Sequence, residues 1–336
     1  MIGVLAQFSA GRIIRRLCFA ALALLMSFPI TAWAEGKDKE TSAPPAVGIV
    51  YGPQAGYRDA VLALQKCLEA KKVKCVLFLL PKTESKDVPK TILAELREMN
   101  PRVFVGVGTQ AVLLIRQAEL RVPIVFCMIP NVLDAPFFDG KDKAQSASTG
   151  VATDIDPKQQ VEWLKKMDPE AKNLGVFYSP RTKKTSEAIQ SAGKKADLTV
   201  TLISTDREKI TDAFTQLGEK DCDAVLMLPD AGIYNPTSVR GLLLWGIRHQ
   251  KAVFGFSESI VKAGGFAGQY FQPEDVGNQT HKVVLALLNG AEPKKIGLQY
   301  PQTVRRAVNL RTASLIGINL DESILKDVTK QFGKDE

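Results

Sequence analysis

Short apolar runs alternating with amphipathic stretches predict an α/β fold of two Rossmann-like lobes, each built on a parallel sheet. The alternation recurs along nearly the whole chain, and it breaks once near the middle before restarting. Length agrees: 336 residues suffice for two lobes once an N-terminal leader is set aside.

The leader comes first. Arg12, Arg15 and Arg16 precede an apolar run at 17–28, and Ala32-Trp33-Ala34 then supplies the small-x-small pattern of a signal peptidase site. The run is short for a membrane span, and Cys18, placed before most of it, is in the wrong context for lipid attachment. Residues 1–34 are therefore expected to be a Sec-type signal peptide cleaved after Ala34, giving a soluble periplasmic product of 302 residues from Glu35. The leader holds three arginines and no acid, so the net charge falls from +8 to +5. The lysines are scattered along helices and form no tract, which argues against a nucleic-acid partner. A monomer is expected.

Cys67, Cys75, Cys127 and Cys222 remain after cleavage. Export permits disulfides, and Cys67 near the end of a helix precedes Cys75 in the next strand, but spacing leaves that bridge open. Cys127 reads as a core thiol. There is no CxxC motif, and His249 and His281 are the only histidines, so no metal site is expected.

In the first half, strands at 47–51, 73–80, 103–107 and 124–127 alternate with helices at 56–70, 88–99 and 109–118. Their near-continuous hydrophobicity fits strands covered on both faces. The polar segment 139–148 breaks the rhythm and is expected to hold or flank the first hinge. The second half has strands at 174–178, 199–203, 224–228 and 252–256, with helices near 158–167, 182–195, 206–217 and 234–249. Two such halves joined by extended crossings enclose a cleft, and open α/β sheets bind ligands beyond the carboxyl ends of their strands. There the chain supplies Gly108-Thr109-Gln110, Pro130-Asn131, Ser179-Pro180-Arg181-Thr182, Pro229-Asp230, Ser257-Glu258 and Gln269-Tyr270. Taken singly, Thr109, Thr182, Asp230 and Ser257 read as helix caps. Facing a cleft, such caps also hold a carboxylate or phosphate.

Enzymatic motifs fail. Gly106-Val107-Gly108 follows a strand, but Ala111 stands at the third glycine position of a dinucleotide fingerprint and no acid ends the next strand. Neither a Gly-Lys-Ser/Thr loop nor His-Glu-x-x-His occurs. Gly255-Phe256-Ser257-Glu258-Ser259 approaches a nucleophile elbow, except that Ser259 replaces the glycine the crowded turn requires. Asp275 and His281 would have to complete its triad from one helix close by in sequence. No catalytic residue and no cofactor is therefore expected.

Ala171 to Pro180 resembles the strand and turn that open the second lobe of ABC-type substrate-binding proteins related to tryptophan-binding components. Further matches follow in order at Pro229-Asp230, Val253-Phe254-Gly255, Gly264-Gly265 with Gly268, Leu288 to Pro293, and Val308-Asn309-Leu310 through Ile318. The resemblance runs from about Val47 to Leu320. It implies a type I periplasmic-binding-protein fold with a three-crossing hinge, one lobe from 47–150 plus 254–282 and the other from 151–253 plus 283–330. It also implies a small-molecule ligand, an amino acid or similar anion or zwitterion, delivered to an inner-membrane ABC permease. The alternative output is signalling to a membrane receptor kinase. By the same resemblance the ligand-binding residues are Thr109, Gln110, Asn131, Ser179, Thr182 and Asp230, with Asp230 suiting an ammonium and the hydroxyls a carboxylate. Tyr178, Arg181, Glu258 and Tyr270 join them as polar or aromatic groups at strand ends. Arg181 departs from the family pattern: pointing inward it would favour an acidic ligand, pointing outward it is a solvated cation.

Overall fold

The computed structural model describes residues 46–81, 90–138 and 148–334; the expected leader lies outside them. The first lobe opens with β1 (Val47–Tyr51), α1 (Ala55–Ala70), β2 (Cys75–Leu79), α2 (Lys90–Met99), β3 (Val103–Val107), α3 (Thr109–Gln117), β4 (Ile124–Ile129) and β5 (Ser148–Ala152). The second contains α4 (Pro157–Met167), β6 (Asn173–Tyr178), α5 (Lys183–Lys195), β7 (Thr199–Ser204), α6 (Ile210–Glu219), β8 (Ala224–Leu226), α7 (Pro236–His249), β9 (Ala252–Gly255), α8 (Glu258–Lys262) and β10 (Ala267–Tyr270). The chain returns to the first lobe for α9 (Pro273–Leu288), α10 (Pro293–Ile296) and β11 (Leu298–Gln299). It then crosses again for β12 (Arg305–Asn309), α11 (Leu310–Leu315), α12 (Glu322–Leu325) and β13 (Lys330–Phe332).

The first sheet runs β11-β5-β4-β3-β1-β2 and is parallel throughout. The second runs β13-β12-β10-β9-β8-β6-β7, with the β10–β12 pair antiparallel. Apolar clusters fill both faces of each sheet, as the unbroken hydrophobic runs of β1, β3 and β4 require. The predicted class, two α/β lobes on parallel-dominated sheets, is the observed one.

The ladders move some predicted boundaries. β9 and β10 pair with second-lobe strands, so the return to the first lobe begins after Tyr270 and not at 254. Residues 298–299 pair with β5, which places them in the first sheet and not the second. The first hinge, expected at 139–148, stands at 153–156, because Ser148–Ala152 pairs with β4; residues 139–147 lie outside the described set. The chain thus passes between the lobes at 153–156, 271–272 and 300–304. The third crossing is pinned by Gln279 of α9, whose Nε2 donates to the Tyr300 carbonyl at 3.0 Å and whose Oε1 accepts from the Gln302 N–H at 2.9 Å. Asp275, also on α9, takes Arg305 of β12 at 3.2 Å from Nε and 2.8 Å from Nη2, adding a half-buried ion pair across the same junction.

All four cysteines among the described residues are free, and Cys67 Sγ donates to Asn278 Oδ1 at 3.3 Å. Cys127 is buried in the core, as predicted. α9 lies close enough against α1 that a Cβ at Gly277 would fall 2.2 Å from the carbonyl oxygen of Ala60. Backbone cannot yield as a side-chain tip can, so Gly277→Ala is expected to lower stability by about 1–3 kcal/mol. A denaturant midpoint equal to that of the wild type would show that the helices separate freely.

Candidate functional site

A cavity of about 690 Å³ lies between the lobes, at the carboxyl ends of the strands. This size is ordinary for a small-molecule site. The first lobe contributes Tyr57 from α1, Met128 from β4 and Pro130 just after it, while the second contributes Leu228, Phe256 and Tyr270. Two crossings pass through the wall, one with Thr153, Asp154 and Ile155 and the other with Phe271 and Gln272. Tyr57 holds its place because Gly108, the N-cap of α3, has φ 89°; a Cβ there would lie 2.5 Å from the Tyr57 ring.

The charged lining residues are Asp154, Glu258 and Lys262. Asp154 is buried; it accepts the N–H of Asn131 at 2.7 Å and of Val132 at 2.8 Å. Burial pushes its carboxyl up to about 6, against the lowering pull of those two N–H groups, and the charge of Asp134 adds a smaller upward push. Glu258 is half-buried at the start of α8, beside Tyr270; burial first, then the neighbouring Glu258 carboxylate, push the phenol up to about 12.

Next to the cavity the lobes touch directly. Asn131, in the left-handed region at φ 51°, donates through Nδ2 to the Pro229 carbonyl at 2.6 Å. Asp134, in a single 3-10 turn at Val132–Asp134, accepts from the Lys184 N–H at 2.8 Å and from the Thr185 N–H and hydroxyl at 3.0 and 2.9 Å. The N-cap of α5, Thr182, makes no capping bond with its own side chain; a carboxylate from the opposite lobe does that work. Thr185 also lines the cavity, so this contact borders the site.

Of the ten residues singled out in the sequence, Glu258 and Tyr270 line the cavity, and Asn131 stands beside it between the lobes. Ser179, Thr182 and Asp230 come together, but on one another. The Asp230 carboxylate accepts Ser179 Oγ at 2.6 Å, Thr182 Oγ1 at 3.1 Å and the Gly232 N–H at 2.7 Å, and all three side chains are buried. The expected Asp230–ammonium contact is therefore corrected: the carboxylate has its donors, and none of the three residues lines the cavity. Thr109 and Gln110 occupy the first turn of α3, and Tyr178 ends β6, all outside the lining. Arg181 is exposed, which decides for the solvated cation. Ser257 caps α8 through Ile260 N–H at 3.3 Å. Its imagined triad partners are engaged elsewhere, Asp275 with Arg305 and His281 with the Asn278 carbonyl.

The sequence reading missed Tyr57, Asp154, Gln160, Lys262, Phe271 and Gln272. Gln269, which the sequence places at a strand end, also lines the cavity. Among the described residues, no group of three or more His, Cys, Asp or Glu is placed to hold a metal ion.

The family model described as "ABC transporter substrate binding protein" matches residues 49–332. No curated protein sequence matches the chain. A Streptococcus pneumonia ABC domain crystallised with L-Trp is similar at 20% identity and a TM-score of 0.59, covering 85% of this chain and 100% of that one. A substrate binding protein with adhesive properties from Clostridium difficile, in its ligand-free open form, gives 17% identity and a TM-score of 0.66 over 86% of this chain and 99% of its own. A periplasmic ribose ABC transporter protein from Conexibacter woesei gives 13% identity and 0.54 over 83% and 98%. At these identities the likeness is one of fold.

Asp134→Ala removes three bonds between the lobes and is expected to cost about 0.5–2 kcal/mol, the ordinary loss for a helix cap. Small-angle scattering should report a larger radius of gyration for the ligand-free variant; an unchanged radius and stability would show that the contact does not hold the lobes. Asp154 gives a pH signature. Its native pKa lies above the unfolded value, so between pH 4 and 6 the native state binds more protons than the unfolded one. Stability contributed there falls as pH rises, by about 1.4 kcal/mol per unit relative to Asp154→Asn, and levels off above about pH 6. Parallel stability profiles for the two proteins would contradict the raised pKa.

Proposed function

Because the chain belongs to the family of ABC transporter substrate binding proteins, we propose that it is an exported binding protein that closes on an amino acid and delivers it to a membrane permease. The interlobe cavity carries this reading. Its wall combines a broad apolar and aromatic surface with charges of both signs. A ligand with an apolar body and a zwitterionic head satisfies all three features, whereas a sugar offers hydroxyls to Met128, Ile155 and Leu228, which cannot use them. The streptococcal neighbour with bound L-Trp supports the same class. The positively charged start, apolar run and Ala32-Trp33-Ala34 support export to the periplasm.

Residue roles follow from chemistry. Glu258 and Asp154 face a cationic head, with Glu258 the more available because Asp154 already holds two N–H groups. The rings of Tyr57, Phe256 and Phe271 cover an apolar body from both lobes and the crossing. A ligand spanning the cavity touches both lobes and stabilises the closed form by its differential affinity for it.

A thermal-shift panel of L-amino acids, dicarboxylates, sugars and nucleosides tests this. A ligand at about a hundred times its dissociation constant stabilises the native state by about 2.7 kcal/mol. Amino acids with large apolar side chains should give the largest shifts. Glu258→Gln should weaken their binding by about 1.5–3 kcal/mol, the range for a charge-assisted bond. Shifts confined to sugars or dicarboxylates would overturn the assignment of ligand class.

A further inference from the structure

Gln269 is the third residue of β10, 5% exposed, with its side chain in the wall of the interlobe cavity. Its Nε2 is buried and has no hydrogen-bond partner among the described residues. Natural interiors pair such groups almost without exception. β10 is an inner strand, flanked by β9 and β12.

Its neighbour across the sheet is another donor. Directly across the antiparallel ladder stands Arg306, on the same face of the sheet, and its Nε is likewise buried without a partner among the described residues. Two carboxylates stand in the cavity wall, Asp154, which accepts the Asn131 and Val132 N–H groups, and Glu258, and neither accepts from Gln269 Nε2. Lys262 is the one cation among the described lining residues. The cavity thus has two acids that accept, and a buried amide donor with no acceptor of its own.

We propose that Gln269 is a specificity residue that donates through Nε2 to the carboxylate of the bound amino acid. The proposal rests on the amino-acid reading of the cleft and adds which end of the ligand meets β10. A zwitterion then lies with its carboxylate toward Gln269 and its ammonium toward the acids. An amine lacking the carboxylate leaves the amide without that partner. The discrimination therefore comes from a polar group that only the right ligand satisfies.

The test is a cycle between protein and ligand, by calorimetric titration of the full chain. The probes are L-tryptophan with tryptamine, and L-phenylalanine with phenethylamine, each pair differing by the carboxylate. The wild type should prefer the amino acid of a pair by about tenfold or more, and Gln269→Leu should lose about tenfold for the amino acid while leaving the amine within about twofold. Without ligand, Gln269→Leu should melt no lower than the wild type, because leucine fills the space without a buried donor. Gln269→Glu, matched in size, places a negative charge against the carboxylate and should bind the amino acids more weakly still, which gives a second arm should the leucine variant not fold. Equal losses for both members of a pair, or unchanged amino-acid affinity in the variants, would overturn the role of Gln269 and leave the amino-acid reading intact. Failure of the wild type to bind either amino acid would overturn both.

Discussion

The buried carboxylate of Asp154 fixes the geometry on which the site depends. It sits in the first crossing and accepts two consecutive N–H groups, from Asn131 and Val132, at the start of the 3-10 turn after β4. A carboxylate with two backbone donors is a strong local constraint even though its burial is costly. With the turn held, Asn131 reaches the Pro229 carbonyl and Asp134 reaches the first turn of α5. One residue in the hinge therefore sets the register of the contacts between the lobes, and its side chain also lines the cavity.

Acids in the molecule divide by what they already hold. Asp230 has two hydroxyls and an N–H, Asp134 caps a helix of the other lobe, and Asp275 is paired with Arg305. These are structural, and their substitution would be felt in packing before chemistry. Glu258 is different: it is half-buried in the cavity wall, beside the Tyr270 phenol. Its two oxygens offer acceptor positions to a ligand.

Most of the fold was legible because parallel strands covered on both faces must be apolar along their length. Val47 to Tyr51 and Val103 to Val107 announce themselves in that way. What escaped were strands without that signature. β10 reads Ala-Gly-Gln-Tyr, β11 has two residues, and β12 opens on Arg305-Arg306. The cavity wall was legible where it lies at a strand end, as Glu258 and Tyr270 do. It was misread at Ser179, Thr182 and Asp230, since nothing in a sequence says that three polar groups at adjacent strand ends will satisfy one another. Asp154, Phe271 and Gln272 lie in crossings, which have no periodicity to read.

The return of α9 and β11 to the first lobe bears on how the chain folds as it is made. Neither lobe is a continuous stretch of chain. The α1 surface around Ala60 that Gly277 approaches has no cover until α9 has emerged from the ribosome, after nearly all of the second lobe. The first lobe cannot finish folding while the polypeptide is still being made, and its unfinished apolar face stays open through most of translation. The topology itself keeps the nascent protein loose until its far end is available.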